Sequence, residues 1–534
     1  MSHSQVILIG LDGLDYDEID RFLNSESLNV LSDLSAQNRA VELESTHPPW
    51  TPCAWPSFLS GRNPGSHGVF DFFANDGYEK SLIDRPAVDA PYLFETAAEA
   101  EKTPIAINYP ITHPAPELER GAIVPGYLAT EDVAFSPPEL RNEYESEHGE
   151  YRIYPSYGTD DDPVVEYTEV ARHRRDMARF LDERYDWDLM AVQFQVTDSI
   201  FHDLDDHDQI RQVLENVDKF VGDIIHLGGE DPLVLIASDH GMGDYDWTFY
   251  MNSWLAEHGY LETTMGEEQY FRQAKDDLKG KTADEDSSSP VASVADTTVS
   301  VLSTVGLSPR RIHRLLGTVG LDKAVERVLP EDFLVAAQNQ VVDHENSIAY
   351  QLLFNSLGVH LNVEGRDPQG VVPQSNYDDV RSELIAELEE VRDPDGELVF
   401  DAVKPREEVY DGKHLDDAPD IALFPRDYRY DVSGSILDTF RRYPHKNHKP
   451  EGILIANRPL DTADQAEIYD IAPTVAAELG IPVDSNTDGK VLTDTDETVE
   501  RRDWNELVDD YTDTSAESDT SSVEDRLADL GYME

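Results

Sequence analysis

The chain has 534 residues, and its 42 Lys and Arg stand against 109 Asp and Glu, a formal net charge of −67. This charge excludes a general nucleic-acid-binding protein, because phosphate backbones are bound by clusters of Lys and Arg, and it disfavours binding to anionic membranes. Acidic residues occur along the whole chain and would repel one another in dilute salt. We therefore expect a halophilic protein that works in a salt-rich cytosol, where screening is strong.

Composition also indicates in which cellular compartment the protein works. A single cysteine, Cys53, excludes an intramolecular disulfide framework. No stretch approaches 18 consecutive apolar residues, so we expect no membrane span. The start of the chain, MSHSQVILIGLDG, lacks the basic region and cleavage site of a signal peptide. These features predict a cytoplasmic protein.

Short apolar segments alternate with segments of helical periodicity along the chain. The predicted strands lie in VILIGLDG, PIAINYP, LMAVQFQV, PLVLIASDHG and GILIANRP, and predicted helices cover 167–181 and 208–225. Such alternation is typical of βαβ units. We predict an α/β fold with a mostly parallel central sheet and helices on both of its faces. Ligands of such sheets gather at the carboxyl ends of the strands.

The domain organisation follows from changes in composition. Residues 1–253 and 347–492 are predicted to form one α/β core. Residues 254–346 combine a polar loop with a helical segment, SPRRIHRLLGTVGLDKAVERVL, and predict an inserted, mainly helical cap. Helices are expected at 376–391, capped by Ser375 or Asn376, and in YDIAPTVAAELGIPV, ended by Gly480. Residues 493–534 read as an acidic tail, mostly disordered, with a short terminal helix.

Thr51 stands between prolines in HPPWTPCAWPSFLSG. We predict Thr51 as a helix N-cap and Pro52 as the first helical residue, which would favour a bound phosphate beside Thr51. Pro56 should end or distort the first turn. A threonine hydroxyl is a poor nucleophile unless a metal lowers its pKa. The alternative is that Thr51 is only a cap.

Several carboxylates and imidazoles follow the predicted strands. Asp12 comes directly after the first strand, Asp198 and His202 are spaced i, i+4, and Asp239 and His240 end an apolar strand, with Gly241 expected to relieve the backbone. A late histidine, His448 rather than His445, would complete a set suited to metal ions. The alternatives are a loop cap at Asp12, a solvated acidic helix face at Asp198, and a loop hydrogen bond at His240.

The ordered motifs GLDG, PPWTPCAWPSFLSGRNPGSHGVFDF, DSIFH, SDHG and HKPEG resemble the alkaline phosphatase superfamily. The resemblance is to its type I phosphodiesterase/nucleotide pyrophosphatase-like family, in the branch of archaeal and bacterial phosphohydrolases, and spans residues 6–492. It implies two divalent ions, zinc or alternatively manganese. One ion would be held by Asp12, Thr51, Asp239 and His240, and the other by Asp198, His202 and His448. Thr51 would then be the nucleophile and form a phospho-threonine that water hydrolyses.

Departures from that family narrow the expected activity. Ala54 stands where nucleotide pyrophosphatases carry a phosphate-binding Asn, and no Arg adjoins Thr51 as in some phosphomonoesterases. These differences favour a phosphodiesterase whose apolar pocket Trp50 and Trp55 could line, unless both are core residues. Cys53 lacks the downstream Pro and Arg of sulfatases and should be a small buried residue.

The expected ligand is a small phosphate ester or diester (nucleotide, glycan or lipid-linked). Two enzymatic alternatives are a phosphomonoesterase and a phosphoryl mutase or transferase. A third alternative is a non-catalytic homologue that binds phosphorylated ligands. We expect His67, in GSHGVF, to be structural.

Overall fold

A computed structural model describes residues 5–265 and 340–508, with gaps at 16–17, 19–20, 22–27, 39, 156–161, 353–355, 463–464 and 494–498, together with Val523. In chain order the described strands are β1 (Val6–Leu11), β2 (Val41–Glu44), β3 (Phe73–Asp76), β4 (Glu79–Leu82), β5 (Pro104–Ile107), β6 (Ala122–Val124), β7 (Leu189–Phe194), β8 (Leu233–Ala237), β9 (Gly241–Tyr250), β10 (Thr263–Met265), β11 (Gln340–Val342), β12 (Ala349–Tyr350), β13 (Gly358–Leu361), β14 (Phe400–Pro405), β15 (Ile421–Pro425), β16 (Tyr430–Ser433), β17 (Phe440–Lys449), β18 (Glu451–Ala456), β19 (Ala466–Glu467), β20 (Val483–Asp484) and β21 (Arg501–Arg502).

The described helices are α1 (Asn29–Asn38), α2 (Thr51–Ser60), α3 (Pro64–His67), α4 (Leu93–Glu99), α5 (Glu139–His148), α6 (Pro163–Asp182), α7 (Val196–Asp203), α8 (His207–Ile225), α9 (Met251–His258), α10 (Tyr377–Glu389) and α11 (Ile471–Leu479). Asp162 and Asp206 cap α6 and α8, since each carboxylate accepts the backbone N–H two residues on. Asn376 stands at the N-cap of α10 but makes no side-chain capping bond.

An eight-stranded sheet forms the centre of the fold, in the order β19-β2-β18-β8-β1-β7-β5-β6. The run from β8 to β6 is parallel, as predicted. Strands β1, β7 and β8 are buried along their whole length, which explains their unbroken apolar sequences. Strand β18, from the GILIANRP segment, runs antiparallel to both of its neighbours, so the sheet is mixed on that side.

Helices cover the sheet in two groups. Helices α1, α6 and α8 pack against one another, and α2, α4 and α11 form a second group. Strand β5 contacts α4 of one group and α6 of the other. The α/β fold class with a mainly parallel sheet is therefore confirmed.

A second hydrophobic cluster lies around smaller sheets. One sheet has the order β12-β13-β15-β14, and a three-stranded sheet has the order β16-β9-β17. Trp50 and Cys53, at the start of α2, belong to this cluster, whereas Trp55 and Phe58 of the same helix belong to the core of the central sheet, so α2 joins the two cores. The antiparallel pair of β9 and β17 connects the second cluster to the edge of the central sheet where β8 ends.

Most of the predicted cap, 266–339, lies outside the described residues. At the two ends of this range, β10 and β11 pair antiparallel. The chain therefore leaves the described part of the fold and returns to it on adjacent strands. The predicted terminal helix likewise falls almost entirely outside the described part. In the described ranges, no helix combines the length and apolar character needed to cross a bilayer.

Candidate metal centre

Three neighbouring strands bring the predicted acidic residues together. In the central sheet β1 lies between β7 and β8. Asp12 follows β1, Asp198 lies in the first turn of α7 just after β7, and Asp239 follows β8. Because the three strands are parallel, their carboxyl ends meet at one edge. The three carboxylates therefore converge although they are far apart in the chain.

The first group consists of Asp12, Thr51, Asp239 and His240. Nε2 of His240 lies 3.4 Å from Oδ1 of Asp12 and 3.4 Å from Oδ2 of Asp239. The Thr51 hydroxyl oxygen lies 3.3 Å from the same nitrogen. All four side chains are buried. One imidazole nitrogen thus faces two carboxylate oxygens and one hydroxyl.

The second group consists of Asp198, His202 and His448. Oδ1 of Asp198 lies 3.3 Å from Nε2 of each histidine, and the two nitrogens are 3.2 Å apart. The His240 and His448 rings stack at 3.7 Å, so the groups adjoin. Ligand atoms of Asp198, His240 and His448 also lie within 4.8 Å of one another. His240 is therefore close to both groups.

In each of the three carboxylates, one oxygen accepts hydrogen bonds from the surrounding protein and the other faces the centre. Asp12 Oδ2 accepts hydrogen bonds from Trp55 and Gln193, Asp198 Oδ2 from Gln195, and Asp239 Oδ1 from the Gly13 N–H. The other oxygen of each is buried and accepts no hydrogen bond from any described residue. A buried, unbonded carboxylate oxygen is costly unless a cation approaches it.

The spacing and the histidine orientation fit metal ions. Ligand atoms about 2.0–2.1 Å from a tetrahedral zinc ion lie about 3.3–3.4 Å from one another, and both groups have such separations. Nδ1 of His240 lies 3.2 Å from the Gly241 carbonyl oxygen. A carbonyl only accepts, so Nδ1 carries a proton, and Nε2 is the ring nitrogen that would bind an ion once its own proton is displaced. The residues present fit a pair of divalent ions.

Burial and mutual repulsion shift the pKa values of the acidic groups. Burial raises the pKa of Asp12 to about 6 and that of Asp239 well above its usual range. Burial alone would lower the pKa of His240, but the Asp239 and Asp12 carboxylates raise it to about 10. No described Lys or Arg forms an ion pair with the three carboxylates, so the centre has an excess of negative charge that divalent ions would offset.

Helix α2 places Thr51 differently from the prediction. Trp50 is the N-cap, and Thr51 and Pro52 are the first two helical residues. Pro52 has no N–H, and the Cys53 and Ala54 N–H groups donate to the Trp50 carbonyl. The helix start therefore offers less hydrogen bonding to a phosphate than an uncapped helix, with only the Thr51 N–H remaining. What the helix supplies is a fixed position for the Thr51 hydroxyl.

Pro56 does not end helix α2, which continues to Ser60. A proline inside a helix removes one backbone hydrogen bond. Every residue of α2 is buried, so packing on both hydrophobic clusters compensates for that loss.

Two residues that hydrogen-bond to a candidate ligand were not recognised in this role from the sequence. Trp55 is fully buried and its indole N–H donates to Asp12 at 2.8 Å, which places it behind a candidate ligand. Gln193 donates to the same carboxylate oxygen at 2.8 Å. The only visible signal was the unusual QFQ sequence at the end of an apolar strand.

The remaining residues singled out from sequence lie around the centre. Trp50 is buried with its ring 5.4 Å from the His448 ring. His445 points away and pairs with Asp431 at 2.9 Å. Cys53 is buried, as expected. His67 is buried and bonded to Ser57 at 2.9 Å, in keeping with a structural role.

Comparison with known proteins gives a family and a fold. The model of the family described as type I phosphodiesterase / nucleotide pyrophosphatase matches residues 6–451. No curated protein sequence matches the chain.

Two solved structures are similar in fold. One is phosphonoacetate hydrolase from Sinorhizobium meliloti 1021 in complex with phosphonoformate, with TM-score 0.52 and 13% identity over 89% of this chain and 96% of that one. The other is wild-type alkaline phosphatase PafA, with TM-score 0.50 and 12% identity over 91% of this chain and 98% of that one.

Proposed function

Because the chain belongs to the type I phosphodiesterase / nucleotide pyrophosphatase family, a group of alkaline phosphatase superfamily hydrolases, we propose that it is a two-metal phosphodiesterase with Thr51 as its nucleophile. The observation that carries this proposal is the position of the Thr51 hydroxyl, 3.3 Å from Nε2 of His240 and buried among carboxylates. A threonine whose only role was to cap a helix would bond to the helix backbone, and Thr51 makes no such bond.

Two ions would be held by the two groups of side chains. Asp12, Thr51, Asp239 and His240 would bind one ion, and Asp198, His202 and His448 the other. The mixture of imidazole nitrogen and carboxylate oxygen suits zinc and also manganese. Bound divalent ions would lower the pKa of the Thr51 hydroxyl and offset negative charge on the phosphoryl group.

The residues of the chain would act in two steps. In the first, the Thr51 oxygen would form a bond to phosphorus while the ester bond to one alcohol breaks, and that alcohol would leave with a proton in place of the one lost from the Thr51 hydroxyl. In the second, water would cleave the phospho-threonine, which still carries the second ester group, restore the hydroxyl and release a phosphomonoester. Trp55 and Gln193 keep Asp12 in place throughout, because they hold the oxygen that faces away from the centre.

A diester is the favoured substrate. A phosphomonoester carries an additional negative charge, which a nearby cation would stabilise, and no described Lys or Arg pairs with the carboxylates of the centre. A diester replaces that charge with a second ester group, which an apolar wall can accept. The buried ring of Trp50, next to His448, is a candidate for part of that wall.

The proposal is tested by comparing hydrolysis of bis-p-nitrophenyl phosphate and p-nitrophenyl phosphate in molar potassium chloride with zinc or manganese. We expect preference for the diester. Thr51→Val keeps the shape of the side chain without the hydroxyl and should lower kcat by roughly 10³-fold or more. Thr51→Ser is the matched control and should keep measurable activity. Full activity in Thr51→Val would rule out Thr51 as the nucleophile.

Other outcomes identify the alternatives. Preference for the monoester would indicate a phosphomonoesterase with a cation supplied from elsewhere in the chain. Transfer of phosphate to an added alcohol in place of water would indicate a mutase or transferase. Protein that holds two ions and hydrolyses neither ester, nor a panel of nucleotide, glycan and lipid-linked esters, would be a binding homologue.

A further inference from the structure

Two glutamines at the end of β7 lie behind the candidate metal centre. Gln193 and Gln195 are 0% and 8% exposed. Gln193 lies in β7, and Gln195, with helical backbone angles, is the N-cap of α7. A buried amide needs hydrogen-bond partners. The side-chain partners of these two are the ligand carboxylates and each other, and Oε1 of Gln193 accepts no hydrogen bond from the described residues.

The hydrogen bonds form a continuous chain between the two groups. Nε2 of Gln193 donates to Oδ2 of Asp12 at 2.8 Å and to Oε1 of Gln195 at 3.1 Å. Nε2 of Gln195 donates to Oδ2 of Asp198 at 3.3 Å. Ionised carboxylates only accept hydrogen bonds, so the amide NH₂ must face the carboxylate at each end. The direction of both amides is thereby determined.

Both carboxylates are held in the same way. The amides bond to the outer oxygens, and the inner oxygens, Oδ1 of Asp12 and Oδ1 of Asp198, accept no hydrogen bond from the described residues. Those inner oxygens face Nε2 of His240 and of His448 respectively. Rotation of either carboxylate would therefore break an amide bond and turn the inner oxygen away from the imidazole.

From this arrangement we propose that Gln193 and Gln195 form an amide relay that orients Asp12 and Asp198 together and couples the binding of the two ions. Both are positioning residues, since they act through the carboxylates. The inference rests on the two-metal centre of the proposed function and goes beyond the ligand set, because it makes one site depend on the integrity of the other.

Space for the relay is provided by Gly10. A Cβ at Gly10 would lie 2.6 Å from the Trp55 ring and 3.2 Å from Cγ of Gln193. Both neighbours are donors to Asp12. A side chain at position 10 would therefore displace the groups that hold the Asp12 carboxylate.

The test measures ion binding directly. The full-length protein in molar potassium chloride is dialysed against a series of zinc buffers, and bound zinc is measured by elemental analysis. Loss of an outer contact to a ligand typically weakens metal binding by about 10–100-fold. Gln193→Met removes the bonds to Asp12 and Gln195, so we expect both ions to bind about 10–100-fold more weakly. Gln195→Met removes the bond to Asp198 and the acceptor of the Gln193 amide. The ion held by Asp198 should then bind more weakly by that factor, and because coupling is reciprocal the ion held by Asp12 should also bind measurably more weakly.

The double variant distinguishes a relay from two separate contacts. In a relay, the single variant Gln193→Met already frees the Gln195 side chain. The double variant should therefore bind zinc no more weakly than the single variant Gln193→Met. Independent contacts would give additive losses, and that result would overturn the proposal. Weakening of only one ion by Gln193→Met would overturn it as well.

Gln351→Met is the matched control. Gln351 is a buried glutamine of the second cluster that donates to the carbonyls of Ser356 and Val432 at 2.6 and 3.1 Å. Its loss should lower the melting temperature and leave zinc binding unchanged. If Gln193→Met does not fold, Gln195→Met decides: weakening of the ion held by Asp198 alone, or of neither ion, would overturn the relay. Wild-type protein that binds fewer than two ions would overturn the centre itself, whereas two normally bound ions with unchanged variants would overturn the relay alone.

Discussion

The carboxylate of Asp12 is held by an indole as well as by an amide. The Trp55 N–H donates to Oδ2, the oxygen that faces away from His240. This indole is rigid within the core, because Trp55 stacks edge-on against Phe58 and Tyr109. The orientation of a proposed metal ligand thus depends on aromatic packing in the centre of the protein.

Trp55→Phe should separate this orienting role from the role in packing. The variant keeps an aromatic ring but loses the donor to Asp12, so we expect zinc to bind about tenfold or more weakly in equilibrium dialysis. The lost hydrogen bond to a charged group should also lower the free energy of unfolding by about 1.5–3 kcal/mol.

Trp187→Phe is the control for Trp55→Phe. Trp187 is equally buried, and its indole donates to Asp182 at the same distance, 2.8 Å, away from the centre. This variant should lose similar stability and keep its zinc affinity. Equal zinc affinities in the two variants would contradict the orienting role of Trp55.

At the scale of single residues, the proposed ligands could be recognised in the sequence, but the residues that hydrogen-bond to them could not. Asp12, Asp239 and His240 could be selected because they follow apolar strands, and His448 because a late histidine was missing. Trp55 and Gln193 could not, since a tryptophan and a glutamine in buried segments have many structural roles. Only the fold shows that both meet the same oxygen of Asp12.

At the scale of elements, the antiparallel pair of β9 and β17 brings together two of the proposed ligands, His240 just before β9 and His448 within β17. His448 stands opposite Met242 in the antiparallel pairing, and Lys449 stands opposite Gly241. The Tyr245 hydroxyl donates to the His448 carbonyl. The position of His448 relative to His240 is therefore set by the register of this strand pair.

Gly241→Ala should disturb that register. The φ angle of Gly241 is not in the left-handed region, so the expected relief of backbone strain is not its role. Instead, a Cβ at this position would lie 2.1 Å from the Glu451 carbonyl oxygen. We expect a loss of about 1–3 kcal/mol in the free energy of unfolding, measured by denaturant titration, together with weaker zinc binding.

Gly243→Ala serves as the control in the same strand. A Cβ at Gly243 would meet no atom closer than 3.5 Å, which is ordinary contact. Stability and zinc binding should both stay close to those of the wild type. A Gly241→Ala variant that behaved like Gly243→Ala would show that the close approach to Glu451 is unimportant.

Elements with a simple burial pattern were predictable. Strands β1, β7 and β8 are buried on both faces and read as unbroken apolar segments. Other elements depend on tertiary contacts that no local pattern reveals. Helix α2 passes through Pro56 because it is packed on every side, and β18 runs antiparallel because the chain enters it from β17, the strand that carries His448.

At the scale of the whole molecule, the net charge of −67 dominates. We propose that the protein works in a salt-rich cytoplasm, because repulsion among exposed carboxylates opposes the compact state unless salt screens it. The Debye length falls from about 10 Å at 0.1 M to about 3 Å at 1 M ionic strength.

The melting temperature should rise steeply between 0.1 and 2 M potassium chloride and level off above that range. The matched comparison uses sucrose at equal osmolality, which favours compact states without screening charge. Sucrose should give a much smaller increase at low salt. Equal melting temperatures across the salt series would contradict the proposal.

The arrangement of the whole chain was only partly accessible from sequence. Alternating strands and helices predicted the central sheet, since each βαβ unit is local. The second cluster, from β12 to β17, was not predicted as a separate set of sheets, because its strands are short and pair across long loops. The predicted cap, 254–346, lies largely outside the described residues, at 266–339, and stays a prediction.

The late position of the β17 strand has a consequence for synthesis on the ribosome. Tyr245 and the His448 carbonyl that it bonds are 203 residues apart in the chain. At about 5–20 residues per second, roughly 10–40 s pass between the emergence of these two segments. During that interval a nascent chain carries six of the seven proposed ligands and lacks the last. Full metal affinity can therefore arise only once His448 has been made, after the strands of the second cluster that precede it.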